Sequence, residues 1–170
     1  LYVTSTTETF KKHFNEMAKM IISHFKLNEN SLVVDIGSND GLLLKYFKEA
    51  GINVIGVEPA ENISEIARKL GIDTVNDFFS SDVAENILKL KGKADIITAN
   101  NVFAHTNDIK SMAENVKKIL KDNGVFILEV QYLLDTLKDL TFDNIYHEHL
   151  SYFSLLSLNE FFNNQDMEII

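Results

Sequence analysis

A glycine-containing loop and one carboxylate further along the chain are the first features that imply chemistry. The loop reads Asp35-Ile36-Gly37-Ser38-Asn39-Asp40-Gly41 and follows a short apolar run rich in valine. Its glycines let the backbone approach a ligand, and the helix expected after it begins with free amide groups. Glu58 ends the next apolar run, where a carboxylate can accept hydrogen bonds from both hydroxyls of a ribose. Together they predict a ligand that contains a ribose.

This loop lacks a second glycine two positions after Gly37, and that difference distinguishes between ribose-containing ligands. A dinucleotide site has the pattern G-x-G-x-x-G, in which the second glycine lets a pyrophosphate rest on the helix N-terminus. Here Asn39 occupies the position of that second glycine, and the acidic residues Asp35 and Asp40 flank the loop. Carboxylates repel a pyrophosphate, whereas they suit a ligand that carries an ammonium and a sulfonium group. The loop therefore favours a cationic ligand over NAD.

A second group of reactive side chains lies late in the chain. Two histidines, a carboxylate and two tyrosines fall within the seven residues 146–152, in a stretch with little regular pattern. Neutral histidine is available as a base near physiological pH, a neighbouring carboxylate can orient its ring, and a tyrosine hydroxyl can donate to a developing enolate oxygen. This set suits removal of a proton from a carbon beside a ketone. Either His147 or His149 can be the base by this reasoning.

The same histidines also have a metal-binding interpretation. In an extended segment His147 and His149 would share a face and could chelate an ion. A third ligand would have to come from His13, His24, His105 or an acidic residue, and none of these stands at a recognised spacing. We therefore expect no metal site.

The elements that must position these residues alternate between strands and helices. Such alternation predicts right-handed crossovers and a mostly parallel sheet with helices on both faces. The apolar run at the end of the chain begins like a further strand, so we expect the chain to stop near a sixth strand. The expected strands are 31–37, 53–58, 72–75, 94–99, 124–130 and 167–170, and the expected helices are 8–26, 42–50, 60–70, 81–90, 108–121, 132–140 and 157–164.

Composition limits the possible functions. The chain has 170 residues, 45% hydrophobic and 24% charged, which is typical of one globular domain. Its net charge of -9 argues against a nucleic-acid partner, and the absence of cysteine excludes disulfides and thiolate zinc ligands within it. No apolar run approaches the roughly 20 residues that span a bilayer, and no signal peptide is visible, so we expect a cytoplasmic protein without a membrane partner. The oligomeric state is left open.

Three strings, in order, resemble the class I S-adenosylmethionine (SAM)-dependent methyltransferases. Residues 33–41 look like the first motif of that family, 94–101 like its fourth strand and following loop, and 120–126 like the turn into its fifth strand. The resemblance covers at least 31–130 and implies a Rossmann-like three-layer α/β sandwich with SAM as cofactor. The implied cofactor-binding residues are Asp35, Gly37, Ser38, Asn39, Gly41, Glu58, Pro59, Asp77, Phe78, Asn100 and Asn101.

Position along the predicted sheet suggests which part of SAM is contacted by the residues that follow the third and fourth strands. Asn76, Asp77 and Phe78 follow the third strand and are candidates for contacts with the adenine. Asn100 and Asn101 follow the fourth strand and are candidates for the methionine moiety. Asparagine and aspartate are also ordinary turn residues, and phenylalanine an ordinary core residue, so these assignments rest on position alone.

A narrower resemblance comes from the string Tyr-His-Glu-His-Leu-Ser-Tyr-Phe-Ser at 146–154, together with 2–5 and 100–105. These look like the nucleotide-sugar C-methyltransferases, which methylate a ring carbon of TDP-linked deoxysugars. In that family a Tyr-x-Glu-His pattern supplies the catalytic residues, which here fall on Tyr146, Glu148 and His149. Members typically also have an N-terminal zinc module and a C-terminal domain, and this chain matches only the part between them.

The resemblance implies one methyltransferase domain with three regions. They are an N-terminal helix region (Leu1–Asn30), a SAM-binding core (Ser31–Val130) and an acceptor-site region (Gln131–Ile170). The expected reaction is methyl transfer to a ring carbon of a nucleotide-linked keto-deoxysugar by base-assisted enolate formation. The alternatives are a methyltransferase for an oxygen or nitrogen of another small molecule, and a SAM-binding module without catalysis.

Overall fold

A computed structural model describes residues 3–170, in which helices and parallel strands alternate. Tyr2, part of one string behind the narrower resemblance, lies outside these residues. The strands are β1 (Leu32–Ile36), β2 (Asn53–Val57), β3 (Thr74–Val75), β4 (Ala94–Asn100) and β5 (Leu120–Glu129). The α-helices are α1 (Glu8–Phe25), α2 (Leu42–Glu49), α3 (Glu61–Lys69), α4 (Ser81–Lys91), α5 (Ile109–Ile119), α6 (Leu133–Lys138) and α7 (Leu155–Asn163).

The five strands form one parallel sheet in the order β3-β2-β1-β4-β5. β1 lies at its centre, where Val34 pairs with Ile55 of β2 on one side and with Ile97 of β4 on the other. The chain builds the sheet outward from β1 in one direction and then, with β4, in the other. The loops after β1 and β4 therefore diverge, which opens a crevice at the carboxyl ends of the strands.

The core consists of two apolar layers, one on each face of this sheet. Val33 packs with side chains of α1, α2 and α3 on one face, and Val34 packs with those of α4, α5 and α7 on the other. All five residues of β1 are buried, as expected for a central parallel strand. The expected three-layer α/β sandwich with a parallel sheet is confirmed.

The main differences from the sequence expectations lie at β3, at the junction of α5 and β5, and at 167–170. β3 keeps only two residues, because Ile72 belongs to the buried cluster beneath α2 rather than to the strand. α5 ends at Ile119, and β5 starts at once through an irregular stretch in which its register against β4 shifts. Residues 167–170 form no strand, since the Met167 amide donates to the Phe162 carbonyl and so closes the end of α7.

The chain between β5 and α7 has little regular structure but is attached to the sheet. An isolated bridge joins Tyr132 to Phe153, and the Leu150 amide donates to the Ala104 carbonyl over 2.9 Å. Phe153 is buried among aromatic rings that include Phe103. These contacts hold the segment against the carboxyl ends of β4 and β5. Within residues 3–170, no helix is long and apolar enough to cross a membrane.

Candidate functional site

The loop after β1 folds back onto the end of β2. The amides of Gly37 and Ser38 both donate to the Val57 carbonyl, over 2.8 and 3.1 Å. This turn needs a left-handed backbone at Gly37, where φ is +67°, and a β-carbon there would lie 2.3 Å from Cγ2 of Val102. Glycine is thus required at this position for both conformation and space.

Glu58 is buried and already held in place by two backbone amides. Its Oε2 accepts from the Asn39 amide at 3.0 Å, and its Oε1 accepts from the Ala60 amide at 2.9 Å. A carboxylate has about four acceptor positions, so two remain for a ligand. The first loop and the second strand are joined by this contact.

Asp35, at the base of the loop, is also buried. Its Oδ1 accepts from the Thr98 hydroxyl at 2.6 Å. Burial raises the pKa of Asp35 to about 7, the Thr98 hydrogen bond opposes that shift, and the charge of Glu58 adds to it. A cation bound beside Asp35 would favour its charged form.

Three buried oxygens near this loop lack a hydrogen-bond partner within residues 3–170: Ser38 Oγ, Asp40 Oδ1 and Asn100 Oδ1. Unpartnered buried oxygens are costly unless a ligand or water satisfies them. They fit a ligand with an ammonium group. The adjoining cleft, which is open to solvent, is lined by Thr4, Phe14, Asp35, Gly37, Ser38, Asn39, Leu42, Leu43 and Asn100. We call this cleft the cofactor pocket.

The other expected cofactor residues lie outside that lining. Pro59 and Phe78 are exposed, Phe78 by 74%, and the Phe78 amide donates to Oδ1 of Asp77. Asn76 anchors this region, since its side-chain amide donates to the carbonyls of Glu58 and Pro59. Asp77 and Phe78 therefore lie on a surface beyond the end of β3.

The two asparagines after β4 are separated by the structure. Asn100 lines the cofactor pocket, whereas Asn101 lines a second one. Asn101 adopts a left-handed backbone with φ of +55°, which turns its side chain toward β5. Of the two, Asn100 alone lines the cofactor pocket, and the expectation that both asparagines contact the methionine moiety stays a prediction.

The second pocket, called the acceptor pocket here, lies beside the cofactor pocket and is open to solvent. It is formed where the loop after β4, the end of β5 and the irregular segment meet. His149 contributes its ring to this pocket. The lining residues are Asn101, Ala104, His105, Val130, Gln131, His149, Ser151 and Tyr152.

The ring of His149 is held by hydrogen bonds at both nitrogens. Nδ1 lies 2.7 Å from the Asn144 carbonyl oxygen, which can only accept. In the neutral ring Nδ1 therefore carries the proton, and Nε2 has the lone pair. The hydroxyl of Tyr146 donates to Nε2 over 3.1 Å. The basic nitrogen of His149 thus faces a phenol at the edge of the acceptor pocket.

Glu148 and His147 are arranged differently from the sequence expectation. The Glu148 carboxylate lies 3.9 Å from Nε2 of His147, whose side chain is 90% exposed. It does not orient the His149 ring, because the Asn144 carbonyl occupies the nitrogen at which a carboxylate would act. The sequence could not predict this carbonyl as the partner of His149, because every residue has a backbone carbonyl whatever its type. The pocket positions of His105 and Gln131 were missed because they depend on how the irregular segment folds back.

Comparison with known proteins identifies the family. Residues 10–170 match the family model described as "Methyltransferase domain". The chain belongs to this methyltransferase family. One relative is "C-methyltransferase NovU" of Streptomyces niveus, 36% identical over 99% of the chain and 40% of its own length. Another is "Ubiquinone biosynthesis O-methyltransferase" of Pelagibacter ubique, 29% identical over 76% of the chain and 56% of its own length. The chain thus spans about half the length of these curated relatives.

Solved structures match this methyltransferase in fold. A SAM-dependent methyltransferase from Archaeoglobus fulgidus gives a TM-score of 0.71 at 18% identity, over 91% of this chain and 67% of that one. The plantazolicin methyltransferase BpumL, solved in complex with SAH, gives 0.66 at 15% identity, over 92% and 62%. The cofactor of this methyltransferase is SAM. The unpartnered oxygens of Ser38 and Asn100 in the cofactor pocket, and Glu58 held by two backbone amides, fit that group.

Proposed function

We propose that this methyltransferase transfers the methyl group of SAM to a ring carbon of a nucleotide-linked keto-deoxysugar. The observation that carries the proposal is the geometry of His149, whose Nδ1 contacts the Asn144 carbonyl and whose Nε2 faces the Tyr146 hydroxyl. A nucleophilic carbon needs a base and a donor for its enolate oxygen, and here the two are already in contact. The 36% identity to a protein named a C-methyltransferase supports the same reaction.

The proposed chemistry begins at His149. Nε2 takes the proton from the ring carbon beside the ketone, and the Asn144 carbonyl keeps its bond to the Nδ1 proton. The Tyr146 hydroxyl, released from Nε2, then donates to the enolate oxygen. When bound, SAM supplies an electrophilic methyl group on a sulfonium. The new carbon–carbon bond forms as the sulfur–methyl bond breaks, and the proton remains on His149.

Binding of the cofactor is assigned to groups around the first loop. Glu58 accepts the ribose hydroxyls, and Gly37 and Gly41 let the loop pass close to the ligand. The ammonium of the methionine moiety donates to the unpartnered oxygens, with Asp35 providing negative charge nearby. Ser38, Asn39, Pro59, Asp77, Phe78, Asn100 and Asn101 complete the proposed cofactor and methyl-transfer region.

Glu148 has an electrostatic part in this proposal. Its carboxylate belongs to the same turn as Tyr146 and His149 and has 63% of its side chain exposed. Without direct contact, its charge favours the imidazolium that forms when His149 takes up the proton. Because water screens an exposed carboxylate, the contribution is modest.

A second candidate function is transfer to an oxygen of a small molecule. The similarity to ubiquinone biosynthesis O-methyltransferases favours it. Such an acceptor can use His149 as a base but has no need of an enolate donor, because oxygen has its own lone pairs. The two candidates therefore differ in whether the enzyme removes a proton from carbon.

Exchange of a carbon-bound proton with heavy water tests the proposal. A TDP-linked 4-keto-deoxysugar is incubated with the natural protein without SAM, and deuterium at the carbon beside the ketone is followed by NMR. We expect exchange with the wild type and a loss of about 10²- to 10⁴-fold in His149→Asn, with SAM binding retained. The matched control is His147→Asn, which should keep exchange within a few-fold.

Two results would contradict this assignment. Exchange within a few-fold of wild type in His149→Asn would remove the base from this position. No exchange by a folded wild-type protein that binds SAM, together with methyl transfer to a hydroxyl, would favour the oxygen acceptor.

A further inference from the structure

Glu129 lies between the two pockets and bonds to elements of both. It ends β5 and pairs with Asn100, a lining residue of the cofactor pocket. Its carbonyl accepts from the Asn101 amide at 2.7 Å, and its Oε1 accepts from the Asn101 side chain at 3.1 Å. Asn101 and Val130, the residue after Glu129, both line the acceptor pocket. One residue thus fixes a wall of the acceptor pocket.

The second carboxylate oxygen of Glu129 reaches the opposite side, on α1. Nε2 of His13 lies 2.6 Å from Oε2, although 116 residues separate the two in sequence. The His13 ring packs against that of Phe14, with centroids 5.2 Å apart. Phe14 is buried and lines the cofactor pocket. A continuous chain of contacts therefore runs from the acceptor pocket through Glu129 and His13 to the cofactor pocket.

The start of α1 is attached to the cofactor loop as well. The Thr4 amide donates to Asn39 Oδ1 at 2.9 Å, and the Ser5 amide donates to Asp40 Oδ2 at 3.1 Å. The segment before α1 and the helix itself thus cross the cofactor pocket. Thr4 attaches this part of the chain to the cofactor loop at one end, and the His13–Glu129 contact attaches it to β5 at the other.

We propose that His13 and Glu129 are positioning residues that hold α1 over bound SAM and fix Asn101 against the acceptor. They touch neither reacting group. Their contact keeps Phe14 against the cofactor and sets the wall across which the methyl group must pass. Breaking it loosens the first turns of α1, while Ala18 and Ile21 keep the later turns in the core, so that cofactor leaves faster and the acceptor is less well placed. The acceptor side of this inference rests on the proposed function, whereas the cofactor side does not.

Release of S-adenosylhomocysteine (SAH) from the natural protein, measured by stopped-flow displacement, tests the cofactor side. His13→Leu removes the bond to Glu129 at a half-exposed helix position that tolerates leucine. We expect SAH to dissociate about 3- to 10-fold faster, because one partly exposed charge-assisted hydrogen bond is lost. His13→Gln, which can still donate to Glu129, should restore a rate near wild type. The matched control on the same helix is Glu16→Gln.

A double-mutant cycle separates this contact from a general loss of structure. Glu129→Leu should speed SAH release in the wild-type background and have a much smaller effect when His13 is already leucine. If Glu129→Leu does not fold, SAH release from His13→Leu and from His13→Gln still tests the inference. Equal SAH release from wild type and His13→Leu would overturn the inference.

The acceptor side has a separate readout. Once an acceptor is known, His13→Leu should raise KM for SAM and lower kcat, while His13→Gln restores both. Failure of the wild type to bind SAH would count against the cofactor site itself. Normal SAH binding with unchanged release in His13→Leu would count against the positioning pair alone.

Discussion

The cofactor loop and the acceptor turn are built in opposite ways. The cofactor loop, 35–41, is mostly buried and fixed by backbone hydrogen bonds to β2 and to Glu58. The acceptor turn, 144–149, is mostly exposed, and the His149 ring is held by a carbonyl and a tyrosine hydroxyl. We infer that changes in the loop disturb folding and binding together, whereas changes in the turn disturb chemistry alone.

The largest expected effect is that of Gly37→Ala. Its β-carbon would lie 2.3 Å from Val102 at a φ of +67°, so backbone strain and a clash act together. We expect a loss of about 2–4 kcal/mol in the free energy of unfolding, measured in urea, and no SAM binding by calorimetry.

Gly51→Ala isolates the backbone part of that effect. Gly51 also has a positive φ, of +81°, but nothing lies within 4 Å of its added β-carbon. We expect it to lose only about 1 kcal/mol and to keep SAM binding. Equal losses for the two variants would show that the close packing against Val102 does not fix the loop.

The next effect in size is the pH dependence of stability from Asp35. Burial raises its pKa to about 7 in the folded protein, from 3.8. Between these values the folded chain keeps a proton that the unfolded chain has released, so stability falls as pH rises. We expect a decrease of about 2–4 kcal/mol in the unfolding free energy between pH 4 and pH 7 from this group.

Asp35→Asn provides the control for that slope. The amide oxygen can still accept from Thr98, but the side chain no longer titrates. Urea unfolding across the same pH range should therefore give a smaller decrease than in the wild type. An identical slope in both proteins would mean that Asp35 does not titrate in this range.

The contrast between the two regions also explains what sequence could predict. Strand–helix alternation and the apolar run of β1 predicted the sheet, because burial on both faces demands such a run. The turn at Gly37 could be located from sequence, since its backbone conformation needs glycine, whereas the ribose role of Glu58 stays a prediction.

The acceptor turn was harder to predict. Its residues were found from the Tyr-x-Glu-His pattern, yet the orienting partner of His149 was assigned to a carboxylate and is the Asn144 carbonyl. The composition of residues 167–170 predicted a strand. They form none, because the Met167 amide instead donates to the Phe162 carbonyl at the end of α7. Both errors arise where tertiary contacts, rather than residue type, determine the conformation.

A smaller effect than those of Gly37 and Asp35 is expected for Glu58→Ala. Two backbone amides lose their acceptor and the ribose loses its partner, so stability and affinity should fall together. We expect SAM to bind about 10- to 100-fold more weakly by calorimetry. Glu61→Ala, an acidic residue in the first turn of α3, is the matched control. Unchanged affinity in Glu58→Ala would move the ribose site elsewhere.

The smallest effect is expected for Glu148→Gln in the acceptor turn. Its carboxylate is 63% exposed and makes no hydrogen bond to His149, whose Nδ1 bonds to the Asn144 carbonyl instead. Loss of one screened charge should slow proton exchange only about 2- to 5-fold and leave thermal unfolding and SAM affinity unchanged.

Tyr146→Phe is the sharper comparison within the same turn, because it removes the hydroxyl that contacts Nε2. It should slow exchange more than Glu148→Gln does, again without a change in thermal unfolding. If Glu148→Gln instead slowed exchange by about 100-fold, the carboxylate would have to reach the imidazole when the acceptor binds. The turn would then rearrange on binding, unlike the cofactor loop, whose geometry is fixed by its own backbone.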